Sequence, residues 1–498
     1  MQKYSGILIA VLLLGLAACG GGGSSSDGGG NHLTTPPPPA SVTVTVNNTT
    51  AGSLDLAMST SFQPAEWDYT VFQSFPNATV PLTNMGPEHI RIQAVSQAVP
   101  QKTASTWDFT MLDAVMNPVF SSADHSPEFQ IAVAPSFMDD SSGHLLPANF
   151  QAFADYSAQL VRYYNTGGFT AADGAHASSA GYPITYWGIF NEPNINGLTS
   201  AQYTSLYNTT VPAMQAVDPT SKFVAVELSD FGNQNTTFIP PFIAGVTAQV
   251  DVMATHFYST CNQKDTDSQL FSTIPDFANR VSYLYSEMQL NSALVNVPVW
   301  ITENNVNADY NKGNNISACN GTAFTIDARG SSGYFAAWRP YMFSRMGKAG
   351  AKALYNWVFI GDVQYGELND QNGNPRLSYW VDYWLQHYFP SPPGADILQS
   401  STTDDSKIEA LAVRNPDGSV VVMVANHALA AANDNNGTGA QVIVSVDVSK
   451  LGTFSSAKLL TIDANTNLTN GPTESAATLA STMTIDFAGY GVAFLSLK

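Results

Sequence analysis

Charge is scarce in this chain, and positive charge most of all. Of 498 residues only 12% are charged, with 19 Lys and Arg against 39 Asp and Glu, for a formal net charge of -20. Such a surface repels nucleic acid and anionic lipid, which excludes both as partners held by electrostatics. Cysteine is nearly missing, with three in all. They form no Cys-x-x-Cys pair and no Cys/His cluster, so the sequence offers no metal site and calls for no cofactor. Beyond the N-terminal segment no apolar run approaches the roughly 20 residues that span a bilayer. No internal repeat is visible.

The N-terminus is one thing that is there. Lys3 precedes the apolar run "GILIAVLLLGLAA", a targeting segment that is excluded from the fold. It ends on "LAAC", which resembles a bacterial lipobox, so residues 1–18 are expected to be a lipoprotein signal peptide and Cys19 the lipidated residue. Residues 19–39 are Gly/Ser-rich and then Pro-rich, a composition that builds no core and serves as a tether. Gly20 rather than Asp follows the cysteine, which by the same resemblance favours an outer-membrane or cell-surface anchor. Export leaves Cys261 and Cys319 as an even pair in an oxidising compartment, and a disulfide between them is expected.

From about residue 87 to 360 short apolar runs alternate with helix-period stretches. The runs are "HIRIQAV", "FQIAVAPSF", "TYWGIFNEP", "KFVAVELSD", "VDVMATHFY", "PVWITENN" and "KALYNWVFIGD", with "LDLAMS" (54–59) as a possible eighth. Helices are predicted over 148–165, after Thr199 as N-cap, and after Ile274. Apolar strands alternating with helices indicate a parallel sheet covered on both faces, and eight of them predict a (β/α)8 barrel over residues 40–384. After about Trp384 the pattern becomes short alternating strands, one pair joined at "NPDGS", which predicts an antiparallel β-sandwich over 385–498. "SVTVTVNN" (41–48) alternates in the same way and is a candidate to join that sandwich.

The polar residues where the strands stop carry the chemistry. They are Arg91, then Asn191 with Glu192, His256 with Tyr258, Glu303, and Trp357. In a barrel these ends converge on one mouth. Two glutamates facing each other there are what glycoside hydrolysis needs, one as an acid and one as an ionised carboxylate.

"NEP" on a fourth strand, "H-x-Y" on a sixth, "TEN" on a seventh and a Trp on an eighth resemble clan A of the glycoside hydrolases, with the closest look to family 39, the β-xylosidase and α-iduronidase type. The resemblance implies a retaining enzyme acting on an oligo- or polysaccharide. It makes Glu192 the acid/base and Glu303 the nucleophile. Asn191 would bind the sugar 2-hydroxyl, Tyr258 would orient Glu303, His256 would line the site, Arg91 would support the nucleophile, and Trp357 would stack on the sugar. Glu367 stands where the family has an acidic pair after the eighth strand, which makes it a candidate substrate-binding residue, and Gln93 stands where the family often has a histidine. An endo-acting hydrolase of an exopolysaccharide or plant glycan would use the same residues, and a non-catalytic surface glycan-binding protein on a decayed barrel is the reading from another class.

Other features are weighed against blander readings. Asp139 and Asp140 read as solvated loop charge. Asp463, Asn465, Asn467 and Glu474 have calcium-loop spacing, but Leu468 stands where the turn demands Gly, so a polar hairpin is the better expectation. The segment between the seventh strand and Phe324 reads as a substrate wall braced by the cysteines.

Overall fold

Eight parallel strands close on one another in the computed structural model, which describes residues 40–63, 72–122, 127–178, 181, 183–229, 234–391 and 393–498. Cys19, the signal segment and the tether lie outside the described residues. In order round the ring the strands are Ala57–Phe62, Ile90–Gln93, Glu128–Ile131, Tyr186–Ile189, Lys222–Leu228, Val252–Thr260, Val299–Asn307 and Ala353–Asn356, and the last pairs with the first. All run the same way, so their C-terminal ends share one face.

Boundaries differ from the sequence reading in places, two of them for a visible reason. The first barrel strand begins at Ala57, three residues later than expected, because Leu54 still belongs to a strand of the other sheet. The helix expected after Ile274 begins at Asp267, because Thr266 and Gln269 form a capping box there, and Pro275 is carried inside it. Thr199 caps its helix, Ser200–Gln215, with the same reciprocal bonds to Gln202.

Of the remaining described strands, six pair as three short two-stranded ribbons, and nine form one sheet. Ala40–Leu54 lies in its interior, antiparallel to Ala395–Thr402 and parallel to Val442–Asp447. Alternate residues along these strands point to one face: Val42, Val44 and Val46 with Val444, Ile485, Val422 and Leu495, all buried in a single cluster. No helix covers that face among the described residues, so the sheet folds over and its two halves cover each other, as in a sandwich. The opposite face, with Leu411, Met423 and Phe494, packs on the barrel core beside the helix Gly333–Lys348.

Asp267 joins the two bodies. Its buried carboxylate accepts from the backbone N–H of Asn436 (2.8 Å) and Gly437 (2.9 Å), the Tyr490 hydroxyl (3.2 Å) and Arg329 (3.3 Å). A fully hydrogen-bonded buried carboxylate of this kind fixes the sheet's loop against the loop that follows the sixth barrel strand. That loop begins with Cys261, which is bridged to Cys319 in the loop after the seventh strand, with Cα atoms 5.9 Å apart.

Candidate active site

The strand ends bring together Arg91, Asn191, Glu192, His256, Tyr258, Glu303 and Trp357. Arg91 is the hub and is wholly buried. Its Nη1 donates to Glu303 Oε1 at 3.0 Å and its Nη2 to Asn191 Oδ1 at 3.2 Å. Tyr258 donates its hydroxyl to Glu303 Oε2 at 2.8 Å, and Gln93 donates to Oε1 at 3.1 Å. Glu303 is thus held by three donors, one of them a guanidinium. Gln93, which stands in the place of a family histidine, takes one of those three positions.

Glu192 is tied differently. One oxygen meets His256 Nδ1 at 3.0 Å, and among the described residues no arginine pairs with it. One oxygen of Glu192, one of Glu303 and one ring nitrogen of His256 all lie within 4.8 Å of one another. Burial opposes charge on His256, but Glu303, Glu192 and Glu227 around it win and raise it to about 9. An exposed imidazole loses its proton near 6.5. Since the folded value is the higher one, His256 stabilises the fold fully below about pH 6.5, and that contribution fades as pH rises through about 9. Three ligand-type atoms so close could clasp a cation, but a protonated imidazole has no lone pair to offer one.

Asn191 has its carbonyl pinned by Arg91 and by Gln130 at 2.9 Å, which turns its amide NH2 into the end that can meet a hydroxyl. Trp357 lies with its ring centroid 5.9 Å from the Arg91 guanidinium carbon.

Glu367 does not join this group. The loop after the eighth strand folds back as a short ribbon, Ile360–Gly361 with Leu368–Asn369, and tucks Glu367 inside. Its carboxyl is wholly buried and accepts from Thr60 at 3.0 Å. Burial and then Asp382 push its carboxyl well above the usual range, and its burial keeps it away from the mouth where a substrate would lie. Asp140 caps its own loop through the N–H groups of Ser142 (2.7 Å) and His144 (3.1 Å). Glu474 is taken by Tyr388 (2.8 Å) and Lys458 (2.6 Å).

Two carboxylates beneath the site were not singled out in the sequence. Glu227, on the fifth strand, receives Arg91 Nη2 at 2.7 Å and Gln130 at 2.6 Å. Glu128, on the third, lies 3.7 Å from Arg91 Nε. Burial first and Glu227 second raise Glu128 to about 8, against the pull of Arg91.

The fifth strand must bend its own rule to aim Glu227 inward. Val224 faces the barrel interior, so regular alternation would turn Val226 in and Glu227 out. Instead the register with the sixth strand slips between Ala225 and Leu228, and Val226 (φ 71°) and Glu227 (φ 41°) are left-handed. Such a bulge re-aims a side chain at the expense of local strain. Tyr203 serves the displaced backbone: its buried hydroxyl accepts from Val226 N–H at 2.8 Å and donates to Ile189 C=O at 3.0 Å. Tyr203→Phe should therefore cost about 1–3 kcal/mol, since both backbone groups lose their partner in a dry site. Denaturant unfolding measures it, and a loss within error would mean the bulge does not depend on that hydroxyl.

A family profile described as "Glycosyl hydrolase catalytic core" matches residues 163–356, which include Glu192, Glu227, His256 and Glu303 but not Arg91 or Trp357. No curated protein matches the chain by sequence. Solved structures match its fold over almost their whole length. A monomeric beta-xylosidase from Caulobacter crescentus is 15% identical, with 92% of this chain and 99% of that one covered at a TM-score of 0.61. A family 30 endoxylanase from Clostridium papyrosolvens is 14% identical, with 92% and 100% covered at 0.57. A family 51 arabinofuranosidase from Xanthomonas axonopodis pv. citri is 11% identical, with 92% and 100% covered at 0.64. Residues 163–356 thus match the catalytic core of glycosyl hydrolases, and the chain as a whole shares the fold of these glycoside hydrolases.

Proposed function

We propose that the protein is a retaining β-glycosidase, xylosidase-like in the bond it cleaves. The observation that carries this reading is the closeness of two unlike carboxylates. Oxygens of Glu192 and Glu303 lie within 4.8 Å. That suits the roughly 5–5.5 Å between carboxyl groups of retaining enzymes better than the roughly 6.5–9.5 Å that inverting enzymes need to fit a water.

In the proposed first step Glu303 attacks the anomeric carbon. The bond to the leaving oxygen breaks, and Glu192 gives that oxygen its proton. In the second step Glu192 takes a proton from water, the water oxygen attacks the same carbon, and Glu303 is released. Arg91, Gln93 and Tyr258 hold Glu303 in its attacking pose, Asn191 meets the 2-hydroxyl, and Trp357 stacks on the ring. The choice of a pentose glycan rests on what the three structural neighbours are named for. The "LAAC" signal supports a lipid-tethered protein outside the cell that meets its glycan there.

Two inversions give net retention, so NMR of the reaction on a β-xyloside should show the β-anomer of the free sugar first, before mutarotation. First appearance of the α-anomer would sink the double displacement.

A second reading, endo action on a polymer, is favoured by the mouth's rim. Phe137, Ile195, Tyr310 and Ile326 are exposed apolar side chains on the loops after the third, fourth and seventh strands. Strands three and seven stand opposite each other in an eight-strand ring, so a glycan crossing the mouth would meet an aromatic face on either side.

A further inference from the structure

We propose that Glu227 is a positioning residue for this reaction, anchoring Arg91 and His256 beneath the two carboxylates that meet the sugar. The inference rests on the roles proposed for Glu192 and Glu303.

Four observations converge on it. The strand is bulged, and two non-glycine residues are left-handed, which turns this carboxylate into the barrel. The neighbouring fourth strand is cleared for it: a Cβ on Gly188 would stand 2.2 Å from Glu227 Oε1, so the glycine inside "TYWGIFNEP" makes room for the fifth strand's carboxylate. Its Oε2 gathers Arg91 and Gln130, the same two donors that pin Asn191. Finally, Glu227 reaches both sides of the acid/base. Its carbonyl accepts the N–H of Glu192 at 3.1 Å, and its Oε2 lies 3.7 Å from His256 Nε2, whose Nδ1 meets Glu192.

Charge gives the arrangement its purpose. The cluster holds Glu128, Glu192, Glu227 and Glu303 against Arg91 and His256, with the Tyr203 and Tyr258 hydroxyls at its edge. With protons on Glu128 and Glu192, two negative charges face two positive ones, and the state ready for the first step is neutral. Glu303 and then Glu192 do most to raise His256 and burial does most to raise Glu128, and Glu227, lying against both, adds to each shift in the same direction. Without it, Glu128 loses its like-charged neighbour and can take over Arg91, while His256 has no charge below it.

The test is Glu227→Gln, read in two independent ways. Nitrogen-15 NMR of the His256 imidazole should show its titration moving down by at least about one pH unit. On an aryl glycoside, kcat should fall about 10- to 100-fold with KM nearly constant, because a small misplacement of the reacting groups is felt in the transition state. The alkaline limb of kcat should move to lower pH. Adding Glu128→Gln should deepen the loss by removing the carboxylate that can substitute. If Glu227→Gln does not fold, Glu227→Asp keeps the charge and shortens the reach. It should then hold the His256 titration near the parent's while lowering kcat. A folded variant with the parent's kcat and the parent's His256 titration overturns the inference. A parent that hydrolyses no glycoside, with His256 still shifting in the variant, would instead count against the roles of Glu192 and Glu303 and leave the anchoring intact.

Discussion

Glu303→Ala should abolish turnover, lowering kcat by about 10⁴- to 10⁶-fold, while the protein stays folded. The side chain is near the surface of the cluster, so removing it leaves Arg91 still paired with Glu227. Glu192→Ala should behave differently, and the difference is diagnostic. A nitrophenol departs without a proton, so the first step should survive and an initial burst of nitrophenol should be seen. The second step, which needs a base, should be slow. Azide needs no base and should restore the rate by forming a glycosyl azide of retained configuration. On a natural glycan, whose leaving oxygen must be protonated, the loss should be about 10²- to 10⁴-fold. Equal losses on both kinds of substrate, or rescue of Glu303→Ala to a β-azide, would exchange or refute the two roles.

Arg91→Ala should destabilise the fold by about 3–5 kcal/mol near neutral pH, the usual result of leaving buried charge without its partner. Arg91 lies 3.0 Å from Glu303, 2.7 Å from Glu227 and 3.7 Å from Glu128, and no other arginine or lysine is paired with these three among the described residues. Its loss leaves these carboxyls buried with no arginine or lysine beside them, which disfavours their charged forms. Such groups weaken the fold where the unfolded chain would be ionised, and the penalty shrinks as acid supplies the proton. The deficit relative to the parent should therefore be largest near pH 7 and smaller near pH 5. Arg91→Lys should fall between, since an ammonium restores charge but not the fork that reaches three acceptors. Urea titrations at the two pH values decide it. A deficit below about 1 kcal/mol, or one that grows in acid, would mean that Arg91 does not balance this cluster.

Much of this was legible because barrel strands announce their ends. "NEP" and "TEN" put a carboxylate directly after an apolar run, and the proline or asparagine that follows stops the run. Arg91 stood out because a cation inside "HIRIQAV" has no reason to be there unless something anionic faces it. Glu227 stayed hidden because two-residue alternation assigns it to the helix-facing side, and no residue type in "FVAVELSD" signals the bulge that overturns that. Glu128 was hidden by position. It opens its strand, where charge reads as solvent-facing, and only the stagger between strands sets it level with Arg91. Glu367 misled in the other direction: a charged residue after the last strand reads as mouth, yet the ribbon it closes turns it inward.

Ala40–Leu54 lies between strands that come more than 340 residues later, as in the pairing of Thr45 with Ser401 and with Asp447. A ribosome adding about 5–20 residues each second makes this strand tens of seconds before its neighbours exist. During that interval the barrel can close while "SVTVTV" keeps two bare edges, the kind of alternating segment that other chains can pair with. Synthesis thus leaves an early debt of unpaired backbone that only the last quarter of the chain can settle. A barrel cut off after its final helix would carry that exposed strand permanently.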